Sequence, residues 1–515
     1  MRNVRRFLLI LFLLVTSFAL AQDIASFEQR IQVRTLPNGL TVILMQRKEA
    51  PVFSFYTFVD SGSAQDPKGE TGLAHMFEHM AFKGTATIGT TDYPAEKKVL
   101  AEIEVAYAAY IAERDKRVGR DEKKLADLEK RWQDLTAEAE KYVIRNQFPE
   151  YIEKNGGVGM NASTYEDQTV YFYSMPANRL ELWAALESDR FLNPAMREFY
   201  KERDVVYEER RMRVESSPLG RLIEQFVTSA FVAHPYRNPG IGWPSDLHTF
   251  SATDAMNFFN TYYVPANMTI AVVGDINFDQ TWPIIEKYFD RLPKRPAPGQ
   301  TLTVEPPQNS EREVVLKETA QPVYIEGYHR PSYLDKDDVV YDAIEDVVSN
   351  GRTSRLYRSL VRDKRIAIQA GGFSGMPGTK YPHLFAFYGI PTPGHTTGEI
   401  REALRAEIER LKTQDITDEE LRMVKTRAKA SLIRGLGSNS GLASQLATYQ
   451  ARFGDWREMF RQIDKIGKVT KADIRRVANR TFTDNNRTVG ILETNRASAS
   501  MVQPHGPTNP QQQPK

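Results

Sequence analysis

The stretch His75-Met76-Phe77-Glu78-His79 carries the pattern H-x-x-E-H. A helix advances about 100° and 1.5 Å per residue, so His75 and His79 lie one turn apart on one face. Both imidazoles can then reach one metal ion. Glu78 lies on the same side, where a carboxylate can take the proton of a metal-bound water. The stretch therefore predicts a helix that carries part of a catalytic zinc site.

Two histidines do not complete such a site, because a catalytic zinc takes three protein ligands and keeps one open position. The third ligand, which we expect to be acidic, has to come from elsewhere in the chain. Histidines on a helix can also be packed and hydrogen-bonded without any metal, so the pattern needs support from its surroundings. A structural zinc site would normally use Cys and His at all four positions, and the chain has no cysteine.

The composition is that of a globular protein. The chain has 515 residues, of which 41% are hydrophobic and 26% charged. This length predicts more than one domain. The formal net charge is +2, so no bulk field attracts nucleic acid or an anionic membrane. We expect neither as a partner.

The N-terminus has the pattern of a secretory signal peptide over residues 1–21. Three arginines precede an apolar run over 7–20, and Ala19-Leu20-Ala21 gives a small-x-small cleavage pattern before Gln22. The run is shorter than the roughly 20 apolar residues of a spanning helix. The sequence therefore predicts cleavage near Ala21-Gln22 and no stable membrane anchor. An exported chain without cysteine is typical of a bacterial periplasmic protein.

Local patterns predict both strands and helices. Apolar, β-branched and aromatic runs indicate strands at 33–36, 40–45, 52–59, 168–175 and 267–273. Helices are indicated at 180–191 and 196–214, and a further helix, capped by Thr71, is expected to end near Gly84. The stretch of about 99–150 is charged and rich in Ala and Leu. It predicts an inserted helical hairpin.

The second half of the chain repeats the pattern of the first. A strand over 384–390, then Pro391 and a helix from Thr397, match a strand over 170–175 followed by Pro176 and its helix. We expect an α+β protein with two homologous domains, each a mostly antiparallel sheet with helices packed on one face.

The predicted domain limits follow from this repeat. The first domain is expected over 30–290 and the second, inactive one over 309–495. Residues 291–308 contain five prolines and predict an extended linker. Residues 496–515 are rich in Pro, Gln and Asn and predict a disordered tail.

The sequence around the histidine pair resembles a peptidase family. Residues 72–85, GLAHMFEHMAFKGT, resemble the motif of the pitrilysin/insulinase metallopeptidases, the inverted zincins. Further stretches resemble motifs of this family at 159–164 with 167–171, 202–211, 234–237 with 241–243, and 351–357. The resemblance covers about residues 30–495. It is greatest to bacterial relatives of the mitochondrial processing peptidase β subunit.

The resemblance implies a zinc endopeptidase with one Zn²⁺ per chain, Glu78 as general base and Glu209 as third ligand. The adjacent Glu208 is an alternative ligand, although the second glutamate of Glu-Glu-Arg-Arg matches the family. Glu202 lies seven residues before Glu209, where the family has an acidic residue that supports catalysis. The separation from His79 to Glu209 is longer than usual in the family, and the predicted insertion accounts for it.

The resemblance also implies how a peptide is held. Asn161, Ala162 and Ser163 lie in the stretch that resembles the family's active-site edge strand. An edge strand can accept an extended peptide through backbone hydrogen bonds, which tolerate different side chains. Peptides or unfolded segments are therefore the expected substrates.

One departure from the family pattern affects the expected assembly. Active members also use an Arg and a Tyr, seven residues apart, from a second and inactive half. Val361 and Ile368 occupy these positions here, although Arg362 or Arg365 could take over the role of the arginine. We therefore expect a homologous partner subunit that lacks the zinc motif, with a homodimer as the alternative.

Three functions compete at this point. The first is a periplasmic zinc endopeptidase, and the second is a non-catalytic assembly or binding subunit of the same family. The third is a zinc-storing or structural-zinc protein. The complete set His75, Glu78, His79 and Glu209 favours the first, because inert relatives commonly lose ligands.

Overall fold

The structure is a computed structural model that describes residues 27–495. The predicted signal peptide and the predicted disordered tail lie outside these residues. Within 27–495, no helix is both long enough and apolar enough to cross a membrane.

Six strands form the first sheet. Their bounds are β1 Ile31–Thr35, β2 Thr41–Gln46, β3 Val52–Val59, β4 Val158–Thr164, β5 Thr169–Pro176 and β6 Met268–Gly274. The order across the sheet is β1-β2-β6-β3-β5-β4. Only the β2–β6 pair is parallel, and the other pairs are antiparallel. Most of these strands are rich in β-branched and aromatic residues, which fit a pleated and buried surface.

Five strands form the second sheet. Their bounds are β7 Arg312–Glu318, β8 Val323–Arg330, β9 Ala367–Met376, β10 His383–Pro391 and β11 Arg487–Thr494. The order is β7-β11-β8-β10-β9, and only β7 and β11 run parallel. Apart from β1, this is the topology of the first sheet, with β8 in the place of β3 and β9 in the place of β4. The predicted α+β fold with two homologous domains is confirmed.

Sixteen α-helices lie within the described residues. Those before the second sheet are α1 Leu73–Met80, α2 Tyr93–Arg114, α3 Glu122–Ala139, α4 Gln147–Lys154, α5 Leu180–Leu192, α6 Phe199–Arg210, α7 Pro218–Ala230, α8 Pro244–Leu247, α9 Ala252–Tyr262 and α10 Phe278–Phe289. The others are α11 Asp338–Ser349, α12 Thr397–Thr413, α13 Asp418–Gly435, α14 Asn439–Phe453, α15 Glu458–Lys468 and α16 Lys471–Thr481.

The chain divides into two compact units that are not continuous in sequence. The first consists of the chain up to Tyr207 together with Asn238–Leu302 and Ala428–Asp464. The second consists of Glu208–Arg237, Thr303–Arg427 and the chain from Lys465 onward. Helices α6, α13 and α15 each run from one unit into the other. The predicted limits of the homologous domains, 30–290 and 309–495, stay a prediction.

The first sheet is buried on both faces. Along β2, Val42 and Leu44 belong to one apolar core, whereas Ile43 and Met45 belong to another. Helix α14 packs over β3 and β6 and covers this second face with residues such as Leu446. Because successive strand residues point to opposite faces, β2 needs a cover on each side. A segment from the far end of the chain supplies one of them.

The second sheet receives a helix from the opposite direction along the chain. Helix α7, which precedes the sheet in sequence, packs on β7 and β11. A Cβ added to Gly327 would lie 2.8 Å from the ring of Phe226, and one added to Gly490 would lie 3.2 Å from the same ring. Glycine at these two positions therefore allows Phe226 to approach the strands closely.

Two helix predictions were wrong in detail. The helix of the histidine pair ends at Met80, not near Gly84, and Gly72 is its N-cap. Thr71 instead donates its hydroxyl to Asp246 at 2.7 Å. The helix predicted over 196–214 is shorter, since α6 ends at Arg210 and a π-helical turn follows over Arg211–Glu215.

The inserted helical hairpin is present as α2 and α3, which pack against each other. Asp92 caps α2 by accepting a hydrogen bond from Ala95, and Asp121 caps α3 in the same way from Lys124. These caps satisfy backbone donors that a helix start leaves free. After α3 the chain returns toward the start of α6, where Lys201 pairs with Glu140 at 3.3 Å.

Candidate metal centre

The start of α1 is fixed by a buried carboxylate. Asp66 accepts hydrogen bonds from the backbone N–H of Gly72 at 2.7 Å and of Ala74 at 2.8 Å. Burial raises the pKa of Asp66 to about 8, and these two hydrogen bonds oppose that rise. Gly72 has φ of 97°, in the left-handed region, and an added Cβ would lie 2.9 Å from the carbonyl oxygen of Ile241. The segment before His75 is therefore tightly constrained.

The two histidines lie together as the helical spacing predicts. The rings of His75 and His79 have centroids 4.8 Å apart and meet edge to face. The His79 side chain is 21% exposed, so it is mostly shielded but reachable from solvent.

Glu209 joins this pair from α6. One ligand atom from each of His75, His79 and Glu209 lies within 4.8 Å of the other two. Among the described residues, this is the group of His, Asp and Glu side chains that meets this spacing. Two ligands of one zinc lie at most about 4.2 Å apart, because each bond is about 2.1 Å long. Small side-chain movements therefore suffice for the three residues to hold a zinc ion.

The neighbouring Glu208 has a different environment. Its carboxylate pairs with Arg211 at 2.8 Å, and its side chain is 59% exposed. The Glu209 side chain is only 16% exposed and also pairs with Arg213 at 2.8 Å. The geometry thus favours Glu209 over the alternative ligand Glu208.

Glu202 supports His79. Its carboxylate lies 2.9 Å from His79 Nδ1 and 2.5 Å from Lys83 Nζ. Burial raises the pKa of Glu202, but the hydrogen bonds from His79 and Lys83 outweigh burial and lower it overall. When Nδ1–H donates to this carboxylate, Nε2 of His79 carries the free lone pair that a metal needs.

Glu78 lies near a pair of buried tyrosines. The hydroxyls of Tyr171 and Tyr263 are 2.9 Å apart. Burial raises the pKa of both tyrosines, and the negative charge of Glu78 raises it further. Glu78 therefore lies within electrostatic range of both hydroxyls.

The predicted peptide-binding residues lie on a sheet edge. Asn161, Ala162 and Ser163 belong to β4, which pairs with β5 on one side only in the six-stranded sheet. Asn161 is exposed and Ala162 is buried. Helix α1 packs against β4, so the edge strand and the histidine pair are close neighbours.

The positions of the missing Arg and Tyr lie in the second unit. Val361 is in a π-helical segment, Tyr357–Asp363, and Ile368 is near the start of β9 with 55% of its surface exposed. Arg362, one of the two candidate substitutes beside Arg365, pairs with Asp363 at 2.6 Å and is also exposed.

Two family models match this chain. One, described as "Insulinase (Peptidase family M16)", matches residues 41–111 and 136–242, and the other, "Peptidase M16 inactive domain", matches 249–428. Together they cover more than half of the chain. The chain belongs to peptidase family M16. The predicted resemblance to the insulinase family is confirmed, and the gap between 111 and 136 falls within the α2–α3 hairpin.

Known proteins of this family are similar over most of the chain. The zinc protease PqqE of Helicobacter pylori is 29% identical, covering 95% of this chain and 99% of the relative. A probable mitochondrial-processing peptidase subunit beta of Arabidopsis thaliana is 23% identical, with 90% of this chain and 78% of the relative covered. The crystal structure of a protease from Helicobacter pylori superposes with a TM-score of 0.74 at 27% identity, covering 90% of this chain and 99% of that chain.

Sequence analysis missed several residues around the histidine pair. Lys83, which pairs with Glu202, lies beyond the end of α1, so no helical spacing predicted this contact. Asp66 gave no signal either, because a carboxylate seven residues before the helix that it caps follows no local rule. The contact of residues 140–147 with the start of α6 depends on how the hairpin folds back.

Proposed function

We propose that this chain is a zinc-dependent endopeptidase that hydrolyses peptides or unfolded segments. The observation that carries the proposal is that ligand atoms of His75, His79 and Glu209 lie within 4.8 Å of one another. Glu78 lies on the same helix as the two histidines. Two imidazoles and one carboxylate are a usual ligand set for a catalytic zinc. The zinc protease names among the similar proteins support this choice of metal.

A zinc ion bound by these three residues would polarise the peptide carbonyl and make water more acidic. The chain's own contribution centres on Glu78. Its carboxylate takes the proton from the water that attacks the carbonyl carbon, and then delivers it to the nitrogen of the leaving amine. The peptide C–N bond breaks and a new carboxylate and amine are released, so one water is consumed for each cleavage.

Glu202 acts as a positioning residue. Its carboxylate holds Nδ1 of His79 at 2.9 Å and thereby sets the orientation and tautomer of the ring. Lys83 holds the other oxygen of the same carboxylate. This two-sided contact keeps Glu202 from rotating away.

The edge of β4 is the proposed binding surface for the substrate backbone. An extended peptide paired with Asn161, Ala162 and Ser163 would run beside α1, because α1 packs on β4. Backbone pairing of this kind gives affinity with little sequence preference. This fits substrates that are peptides or unfolded segments.

We infer a two-subunit enzyme located in the periplasm, with this chain as the catalytic subunit. Val361 and Ile368 stand where active members of the family have Arg and Tyr. A homologous partner would supply these two side chains. The periplasmic location follows from the signal peptide predicted at the N-terminus.

A non-catalytic binding subunit is the alternative function. One observation favours it, the absence of the Arg and Tyr. The match of 249–428 to a model described as inactive fits both functions, because the second domain is expected to be inactive in the peptidase too. The complete set of ligands and Glu78 favours the peptidase.

The decisive experiment measures metal content and cleavage of internally quenched peptides for the wild type and for Glu78→Gln. The peptidase is supported if Glu78→Gln keeps its zinc and loses cleavage by about 10²–10⁴-fold, the usual size of general-base catalysis. Glu208→Gln is the matched control and should cleave normally. If the wild type binds zinc but cleaves no peptide, even with a homologous partner, the binding subunit is favoured. Full activity of the purified chain alone would contradict the two-subunit part.

A further inference from the structure

A cavity of about 250 Å³ lies next to the candidate metal centre. Glu202, whose carboxylate contacts His79, forms part of its wall, and so do Phe82 and Lys83, which follow His79 in the chain. All residues around the cavity belong to the first unit. A side chain of a peptide bound beside the candidate metal centre could therefore enter this cavity.

The end of the helical insertion forms one side of the cavity. Residues 143–147, which follow α3, line it together with Phe82 and Val205. Ile144 and Val205 are 37% and 48% exposed, so the walls contain apolar surface that a ligand could cover. The insertion lies partly in the gap between the matched segments of the family model. Residues 143–147 follow this gap and lie within the matched segment 136–242.

The charges around the cavity are unequal. Three cations line it, Lys83, Arg145 and Lys201, against two carboxylates, Glu198 and Glu202. Glu202 is engaged by His79 and Lys83.

Glu198 is largely buried, with 8% of its side chain exposed. It is shared among Lys201 at 3.4 Å, Arg145 at 3.6 Å and Lys83 at 3.9 Å. None of these contacts is a short, direct hydrogen bond. Glu198 is therefore held only by long contacts, and Lys83 makes its short contact with Glu202 instead.

Arg145 and Lys201 are the cations best placed for a ligand. Their side chains are 60% and 50% exposed. Both also pair with Glu140, at 3.0 Å and 3.3 Å, which lies outside the cavity and is itself 40% exposed. Such exposed pairs are weak and are exchanged easily. A substrate carboxylate inside the cavity can therefore compete for both cations.

We propose that this cavity is a specificity subsite that binds an acidic side chain of the peptide substrate. Arg145 and Lys201 would contact the carboxylate of that side chain. The proposal rests on the proposed peptidase function. The methylene groups of a glutamate side chain would lie against Ile144 and Val205, and its carboxylate would meet the guanidinium and ammonium groups. The insertion thereby contributes to substrate choice through Arg145.

The test uses quenched peptides that differ at one position, carrying Glu, Gln, Leu or Lys, scanned across the residues that flank the scissile bond. At one position, the kcat/KM of the wild type for the Glu peptide should exceed that for the Gln peptide about three- to fivefold. This ratio corresponds to the free energy of one partly exposed ion pair. The Lys peptide should be slower than Gln. The Glu preference should shrink with added salt, because salt screens exposed charges.

Charge reversal provides the second arm. Arg145→Glu and Lys201→Glu should abolish the preference or reverse it toward Lys, whereas Arg145→Gln should abolish it without reversal. Arg131→Glu, an exposed arginine on α3 of the same insertion, is the matched control and should keep the preference. Circular dichroism melts compare the folding of all variants.

The outcomes separate the two proposals. Cleavage by the wild type with no Glu preference at any position, or a preference that survives Arg145→Glu and Lys201→Glu, overturns the subsite and leaves the peptidase intact. No cleavage of any peptide by the wild type, with or without a homologous partner, overturns both.

Discussion

The two sheets share one topology but are joined to very different helices. After β3, the central strand of the first sheet, α1 carries His75 and His79. Helix α6, which runs from the first unit into the second, carries Glu202 and Glu209. In the second unit, α11 follows the corresponding strand β8, and α13 is the counterpart of α6 in chain order.

Helix α11 has no histidine and buries Val, Ile and Tyr side chains in the core. Its contact with α13 is an ordinary ion pair, Asp346 with Arg427 at 3.1 Å. A carboxylate of α13, Glu420, pairs with Arg355 at 2.7 Å. Helices α1 and α6 thus carry a candidate metal centre, whereas their counterparts α11 and α13 carry structural ion pairs. The side chains, not the topology, decide between the two.

Among variants that test this comparison of helices, we expect the largest loss of zinc binding and cleavage from a substitution at Glu209. Glu209→Gln removes the charged ligand, so zinc binding should fail and cleavage should fall on the order of a thousandfold or more. Metal analysis and peptide cleavage check both quantities. The neighbouring Glu208→Gln is the control, and equal losses in both variants would argue against Glu209 as the ligand.

Helix α7, which packs on the second sheet, and α14, which packs on the first, can be compared by their contributions to stability. Phe226→Ala on α7 should lower the free energy of unfolding by about 3–5 kcal/mol, and Leu446→Ala on α14 by about 2–5 kcal/mol, because each leaves a cavity against its sheet. Urea unfolding measures both. Leu219→Ala, on the exposed side of α7, should change stability by less than about 0.5 kcal/mol. A small effect of Phe226→Ala would mean that α7 is not essential to the second sheet.

A substitution at Glu202 tests whether its contact with His79 strengthens zinc binding. Glu202→Gln should weaken zinc binding about 10- to 100-fold, since it removes the charged partner of His79 Nδ1. Competition with a chelator measures the affinity. Glu420→Gln is the counterpart in the second unit and should leave zinc affinity unchanged. Unaltered zinc affinity in Glu202→Gln would restrict Glu202 to a structural role.

The smallest effect is expected from Glu420 and depends on pH. Burial raises the pKa of Glu420, but hydrogen bonds from Arg355 and Thr417 outweigh it and lower the pKa to about 2. In the unfolded chain a glutamate has a pKa of about 4.3. The folded pKa is the lower one, so the ion pair stabilises the fold above about pH 4.3 and is lost as the pH falls toward about 2.

Glu420→Gln should therefore cost about 1–3 kcal/mol of stability at pH 7 and clearly less at about pH 3. Urea unfolding at the two pH values measures the difference. A cost that is equal at both values would show that charge is not the source of the stabilisation.

Much of the site could be predicted from local patterns. The spacing of His75, Glu78 and His79 follows from the helical period, and the repeat of strand and helix patterns predicted the two similar sheets. The predicted limits of α1 and α6 were less accurate. The conformation of Gly72 and the π-helical turn after Arg210 depend on contacts with distant residues. Burial of both faces of the first sheet was not predicted, since its second cover comes from α14, late in the chain.

The sequence by itself determined the chemistry, because a helix of fixed period places two histidines and a glutamate on one side wherever it folds. It also determined that two similar sheets would form, since their strand patterns repeat. Only the tertiary structure decided that Glu209, and not Glu208, lies in the cluster with the histidines, because this depends on the rotation of α6 about its axis. It also decided that the end of the insertion lies beside the metal centre, and that α7 and α14 cover sheets far from them in sequence. These results depend on packing between distant segments, which no local pattern encodes.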